Sequence, residues 1–132
     1  LTKPKDILTG MDLLRYAMSI ILLTHSIPGF FNGGVNDFGE LYLNQIGFAP
    51  LGIPIAWAVK LSHVVSAILL IINKYIKLAC LMAIFVFIVG IIMIHFKEGW
   101  FVVGGGRNGM EYNFLLICVC LAIMYPSGLS KK

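Results

Sequence analysis

The amino-acid sequence predicts an all-α integral membrane protein: a four-helix bundle with a short amphipathic surface helix between helices 1 and 2. The chain of 132 residues is 59% hydrophobic and only 12% charged, with a mean hydropathy of +0.92. A soluble domain carries about twice that fraction of charge, which its hydrated surface requires. The apolar runs are long and do not alternate with polar residues, and in a bilayer such runs are helices.

Four hydrophobic segments define the predicted helices, at about 11–31, 53–72, 76–96 and 110–125. A helix needs about 20 apolar residues to cross the hydrocarbon core, and the first three segments are long enough. The fourth is shorter, so a locally thinned bilayer or burial among its neighbours is expected. Together they predict a single transmembrane domain that spans 1–132.

Capping residues and prolines indicate where the predicted helices begin and end. Thr9 or Asp12 is a suitable cap for the first helix, and Pro28-Gly29 is expected to end or kink it. Pro126 is expected to close the fourth helix.

The stretch between the first two helices has the pattern of an amphipathic helix lying on the membrane surface. Its apolar residues recur at helical spacing, and they are Val35, Phe38, Leu41, Tyr42 and Ile46. The opposite side is polar, with Asp37, Glu40 and Asn44.

The distribution of basic residues predicts that both termini are cytoplasmic, because cytoplasmic loops are enriched in Lys and Arg. The predicted cytoplasmic side carries Lys3, Lys5, Arg15, Lys74, Lys77, Lys131 and Lys132. The opposite side carries only Lys60, Lys97 and Arg107. The basic residues do not form one patch, so no nucleic-acid partner is expected despite the net charge of +4.

Ionisable residues of all four predicted helices converge in the outer half of the bundle. At about 1.5 Å per residue, His63 lies roughly 15 Å from the cytoplasmic end, His25 and Glu111 roughly 20 Å, and His95 roughly 30 Å. Polar groups in such bundles usually face inward, since lipid cannot satisfy them. We therefore predict an outer polar cavity with His25, His63, Arg107 and Glu111 as its ligand-binding residues.

Three further ionisable residues are predicted to be structural or to form pairs. Lys60 lies one turn outward of His63, where it can pair with a carboxylate. Arg15 lies one turn into the first helix and is expected to extend to the cytoplasmic interface. His95 is expected near the headgroup level.

Several chemistries are compatible with this polar layer, and a packing network of hydrogen bonds between helices is one of them. A metal site is disfavoured because the chain has no H-x-x-H or E-x-x-H pair and the depths differ by roughly 10 Å. A haem would require the helices to open around a macrocycle. A quinone head group or another small polar ligand fits better, because His and Glu can hydrogen-bond it and exchange protons with it.

Two stretches resemble the DoxX family of membrane proteins. One is Leu14-Arg15 followed by His25 and Phe30-Phe31, and the other is the glycine-rich stretch 100–117, which contains Glu111. The resemblance implies a small four-helix protein of the bacterial inner membrane. It also implies an association with membrane oxidoreductases, since the family name comes from subunits associated with a thiosulfate:quinone oxidoreductase. By matching position, the resemblance rests on Arg15, His25, Arg107 and Glu111. The chain departs from the family in the second helix, where His63-Val-Val-Ser66 stands in place of an acid followed by glycines.

The function expected from these observations is that of an auxiliary, non-catalytic subunit of a quinone-linked membrane redox system. Its expected partners are the lipid bilayer and other membrane-protein subunits, and a quinone is the expected ligand. Two alternatives stay open. The chain is a purely structural accessory subunit of a larger complex, or it is a small-molecule transporter component, for which it is short unless it oligomerises.

Overall fold

Every regular element of the protein is helical in the computed structural model, which describes residues 8–104 and 108–128. No strand is present in these two ranges, which confirms the predicted all-helical architecture. The α-helices are α1 (Gly10–Asn32), α2 (Gly34–Asp37), α3 (Gly52–Ile72), α4 (Ile76–Gly90) and α5 (Glu111–Met124). A π-helical segment, Phe38–Phe48, follows α2, and α4 continues into a π-helical turn, Ile91–His95, and a 3-10 turn, Phe96–Glu98.

Three of the helices are long and apolar enough to cross a membrane, which confirms the prediction of a helical membrane protein. They are Gly10–Asn32, Gly52–Ile72 and Ile76–Glu98, with 23, 21 and 23 residues. Large apolar side chains on their outer surfaces are exposed, among them Ile20 (61%), Phe85 (69%) and Ile92 (68%). Lipid is the medium in which such a surface is stable. Helix α5 is apolar but has only 14 residues.

The first helix is capped as predicted, and it ends at Asn32, one residue beyond its predicted span of about 11–31, rather than at Pro28. The Thr9 side chain accepts a hydrogen bond from the Asp12 backbone at 3.1 Å, and Asp12 accepts one from the Thr9 backbone at 3.1 Å. The helix then continues through Pro28 to Asn32 and ends at Gly33, whose φ of 73° is in the left-handed region. A proline removes one hydrogen bond, which neighbouring helices can compensate, whereas a left-handed glycine stops the helical path.

The segment between α1 and α3 is helical as predicted, but its buried face differs from the prediction. Leu43 is buried, whereas Leu41 is 68% exposed. Asn44, assigned to the polar side, turns inward, and its Oδ1 accepts a hydrogen bond from the Gly52 backbone at 2.8 Å. The wider turn of a π-helix shifts the phase of the side chains, so an α-helical count misplaces both residues.

This segment lies directly against the beginning of α3 because two glycines face each other there. A Cβ atom added at Gly39 would lie 2.5 Å from the Cα atom of Ile53, and one added at Gly52 would clash with the Gly39 carbonyl oxygen. Only glycine permits two backbones to approach so closely. The contact fixes Phe38, the first residue of the π-helical segment, beside the outer part of α3.

Small residues form the contacts between the apolar helices. Helix α1 packs on α3, α3 on α4, and α4 on α5, which also touches α1. Ala67, Ala79 and Ala83 are at most 1% exposed. Two serines bond across helices: Ser19 Oγ donates to the Ala67 carbonyl and Ser66 Oγ to the Ala79 carbonyl, both at 3.1 Å. Small residues and hydroxyl bonds of this kind hold helices together in lipid.

Arg15 forms a buried connection between the first turns of α1 and the last turn of α3. It is only 7% exposed. Its Nη1 atom donates a hydrogen bond to the Leu70 carbonyl oxygen at 2.7 Å, and its Nη2 atom forms an ion pair with Asp12. Leu70 lies in the last turn of α3, where carbonyl groups lack partners within the helix. The guanidinium group therefore completes the end of α3, and its ion pair with Asp12 balances its charge.

Candidate functional site

A cavity of about 290 Å³ lies among α1, α3, the continuation of α4 and the beginning of α5. All three histidines of the chain line it, together with one lysine. Its lining consists of Ile21, Leu22, His25, Lys60, His63, Phe87, His95, Val102, Asn108, Gly109, Tyr112, Asn113 and Leu116. The structure thus brings together His25 and His63, two of the residues predicted to bind a ligand. We call this space the histidine cavity.

His63 is the most deeply buried ionisable residue of the histidine cavity. It is 6% exposed, and its Nδ1 atom has no hydrogen-bond partner in the described part of the chain. One face of the ring approaches Phe87, with 6.0 Å between the ring centroids. A buried polar atom without a partner costs about 1–3 kcal/mol, and such atoms are rare in native proteins. The Nδ1 atom is enclosed by the protein, so His63 is a buried polar group whose cost the described residues do not offset.

His95 connects the cavity to the loop that precedes α5. Its Nδ1 atom lies 2.7 Å from the carbonyl oxygen of Asn108. A carbonyl oxygen can only accept, so Nδ1 carries a proton and donates it in this bond. In a neutral ring the Nε2 atom is then an acceptor. His95 is half-buried, and it lies in the same cavity as the other two histidines although the sequence places it farther outward.

Lys60 forms a different contact from the predicted one. Its Nζ atom lies over the ring of Phe38, 5.2 Å from the ring centroid. Among residues 8–104 and 108–128 the one ion pair is between Arg15 and Asp12, so Lys60 has no carboxylate partner within these two ranges. The approach of Phe38, which follows from the contact between the two glycines, explains the difference.

The histidine cavity has the character of a site for an electron-rich group. An ammonium and three imidazoles line it, and none of the lining residues described above has a carboxylate. A positive, partly enclosed surface favours anions and strong hydrogen-bond acceptors. The lining amides of Asn108 and Asn113 and the hydroxyl of Tyr112 add further hydrogen-bonding groups.

Glu111 lies beside the histidine cavity but does not line it. Its Oε1 atom accepts hydrogen bonds from the backbone of Val102 at 2.7 Å and of Val103 at 3.0 Å. Its own backbone donates to the Trp100 carbonyl at 2.9 Å. The carboxylate therefore holds the loop onto the beginning of α5. Arg107, the fourth predicted ligand-binding residue, lies outside the described residues.

Asn113 belongs to the site although sequence reasoning missed it. Its Nδ2 atom donates a hydrogen bond to the Phe87 carbonyl oxygen at 3.2 Å, which ties α5 to α4 just before the π-helical turn. Asn113 is a polar residue within the fourth apolar segment, two positions after Glu111, and this position could have indicated that it belongs to the site. The π-helical turn itself had no signal in the sequence.

The described residues contain no group of three or more His, Cys, Asp and Glu side chains that could hold a metal ion. The three histidines thus share a cavity without forming a ligand cluster. No protein-family model, no curated protein and no solved structure matches the chain. The resemblance to DoxX-type proteins therefore stays a prediction from the residues.

Proposed function

We propose that this chain is a four-helix transmembrane bundle of the bacterial inner membrane that binds a quinone-like head group in the histidine cavity. In this proposal it serves as an auxiliary subunit of a membrane redox system, with both termini in the cytoplasm. The observation that carries the proposal is that all three histidines and Lys60 line one cavity, whose described lining contains no carboxylate.

The size and chemistry of the cavity support a single-ring ligand. Small-molecule sites begin at about 300 Å³ and combine apolar walls with a few polar groups. A quinone oxygen accepts hydrogen bonds, which an imidazole N–H or the Lys60 ammonium can donate. When a quinone is reduced it takes up protons, and imidazole is the side chain that exchanges protons near neutral pH. The DoxX resemblance adds the link to oxidoreductases.

The first test measures the binding of 2,3-dimethoxy-5-methyl-1,4-benzoquinone to the chain in lipid nanodiscs, with empty nanodiscs as the reference. We expect saturable binding that weakens at least tenfold in a His63→Phe variant, which keeps an aromatic ring but has no nitrogen. Ser62→Ala is the matched control, because Ser62 bonds only to the Val59 carbonyl of its own helix and does not line the cavity. Equal binding by the wild type and His63→Phe would overturn the proposal.

A structural accessory subunit is the second candidate function, and the loop before α5 favours it. Glu111 and His95 both use their side chains to hold this loop in place, which is a packing role. Mass spectrometry after gentle purification separates the two candidates. A chain that always travels with a larger complex and retains no small molecule would support the structural function.

A further inference from the structure

The histidine cavity gathers several groups that can carry positive charge. Lys60 and His25 lie close enough to His63 for their charges to act on its ring, and no carboxylate is among the described lining residues. Like charges repel each other, and this repulsion is screened less in a partly enclosed space than at an open surface. A ligand with negative charge would therefore be favoured by the composition of the cavity as a whole.

Lys60 contributes the strongest cation to the cavity, because an ammonium group is ordinarily charged at neutral pH whereas an imidazole is only partly charged. It is half-buried, and it has no ion-pair partner within residues 8–104 and 108–128. Glu111 lies beside the cavity, but its carboxylate already accepts hydrogen bonds from the backbone of Val102 and Val103. An anionic ligand would supply the countercharge that these ranges do not provide to Lys60.

The ring of Phe38 restrains the Lys60 ammonium group. The Nζ atom lies 5.2 Å from the ring centroid, and the face of an aromatic ring attracts a cation without neutralising its charge. Phe38 is itself fixed, because its ring stacks on Tyr42 with 5.8 Å between the centroids. The next residue, Gly39, is in such close contact with α3 that an added Cβ atom would lie 2.5 Å from the Ile53 Cα atom. The π-helical segment therefore positions the ammonium group beside the cavity and leaves its charge available to a ligand.

We propose that the histidine cavity selects a ring ligand with negative charge, and that Lys60, positioned by Phe38, determines this selectivity. The ligand class is a quinone that bears an ionised hydroxyl group. Lys60 binds the charged oxygen through a charge-assisted hydrogen bond, and imidazole N–H groups of the cavity donate to a carbonyl oxygen of the same ring. This inference rests on the function proposed above and names its ligand class more narrowly.

The loop before α5 gives a charged ligand a route to the cavity. Val102, Asn108 and Gly109 line the cavity, and they belong to the loop between the apolar helix Ile76–Glu98 and α5. One wall of the cavity therefore lies where the chain leaves the hydrocarbon. An ion that enters from the aqueous side at this wall does not have to cross the bilayer core, where a charge is costly.

The test compares the binding of two quinones that differ in charge. The probes are 2-hydroxy-5-methyl-1,4-benzoquinone, whose acidic hydroxyl group is ionised at neutral pH, and the neutral 2-methoxy-5-methyl-1,4-benzoquinone. Both are measured in phosphatidylcholine nanodiscs and corrected for partition into empty nanodiscs. Lys60→Met removes the ammonium group but keeps a long side chain, and Lys60→Arg keeps the charge. Lys97→Met is the matched control, because Lys97 is an exposed cation of the 3-10 turn Phe96–Glu98 and does not line the cavity.

We expect the wild type, Lys97→Met and Lys60→Arg to bind the hydroxyquinone about tenfold more tightly than the methoxyquinone. In Lys60→Met this preference should fall below threefold. The affinity of that variant for the methoxyquinone should stay within threefold of wild type, because the histidines still donate to its carbonyl oxygens. Equal affinity of the wild type for both probes would overturn the selectivity and leave the proposed function intact. A wild type that binds neither probe would overturn both.

Phe38→Leu keeps the test decisive if Lys60→Met does not fold, because leucine keeps an apolar side chain at this position but has no aromatic face. We expect the preference for the hydroxyquinone to fall at least threefold in this variant, since the ammonium group loses the ring that restrains it. The ratio of the two affinities reports on charge, so a general loosening of the protein would not produce this result. An unchanged preference in a folded Phe38→Leu or Lys60→Met protein would overturn the proposal.

Discussion

Two buried polar side chains near opposite ends of this molecule, Arg15 and His63, differ in whether they have hydrogen-bond partners. At the end that contains the start of α1, Arg15 bonds to the Leu70 carbonyl and to Asp12, and nearby Ser66 bonds to the Ala79 carbonyl. At the other end, His63 is as deeply buried as Arg15, but its Nδ1 atom has no partner in the described part of the chain. Both groups are costly to bury in a bilayer, and of the two only Arg15 is satisfied by hydrogen bonds within the protein. The comparison distinguishes polar groups that hold helices together from one that no described residue satisfies.

Replacing Arg15 should have the largest effect on stability, because its partners would be left unsatisfied. We expect Arg15→Met to lower the free energy of unfolding by about 3 kcal/mol, since the Leu70 carbonyl and Asp12 lose their donor. Equilibrium unfolding in mixed micelles, followed by circular dichroism, measures the change. Lys74→Met is the control, because Lys74 is an exposed cation in the turn between α3 and α4. Ordinary surface substitutions change the free energy of unfolding by up to about 0.5 kcal/mol. An effect of Arg15→Met below this value would mean that the bonds of Arg15 do not stabilise the protein.

Replacing Glu111 tests whether the effect on stability depends on the end of the molecule at which a polar group lies or on whether that group has hydrogen-bond partners. It lies at the same end as His63, but its carboxylate accepts two backbone hydrogen bonds. We expect Glu111→Ala to lower the free energy of unfolding, by less than Arg15→Met because Glu111 is less buried, and Glu111→Gln to lower it by less still, because the amide oxygen still accepts. Glu40→Ala, an exposed acid, is the control. A Glu111→Ala protein of wild-type stability would show that the loop contact is unimportant.

Replacing His63 should have the smallest effect and the opposite sign. We expect His63→Phe to raise the free energy of unfolding by about 1 kcal/mol when no ligand is present, because it removes a buried polar atom without a partner. The same mixed-micelle unfolding measures this, with Ser62→Ala as the control. A loss of stability as large as that of Arg15→Met would mean that His63 is a packing residue, and the difference between the two ends would disappear.

The helices could be predicted from the sequence because their signal is one-dimensional. A run of apolar residues specifies a helix in lipid whatever its neighbours are, and the Thr9 cap uses only residues three positions apart. The convergence of His25 and His63 could also be anticipated, because depth follows from counting residues along a helix.

The rest of the site depends on the direction in which each side chain points around its helix axis. Counting residues along a helix gives the depth of a residue but not this direction. Glu111 has the right depth, but its carboxylate turns to the backbone of Val102 and Val103 rather than to the cavity. Lys60 meets Phe38 rather than an acid, because two glycines bring the π-helical segment against α3. Asn44 was assigned to the polar side, but its Oδ1 atom accepts a hydrogen bond from the Gly52 backbone, a contact that depends on how the segment folds back on α3.

The π-helical turn Ile91–His95 determines the direction in which the His95 side chain points. A turn that closes with five residues instead of four accommodates one surplus residue without interrupting the helix. Each residue of an α-helix advances the path by about 100°. If the same residues formed an α-helical turn instead, His95 would lie about a quarter turn away around the axis and would lose the Asn108 carbonyl. In this helix the local width of one turn is itself a determinant of the site.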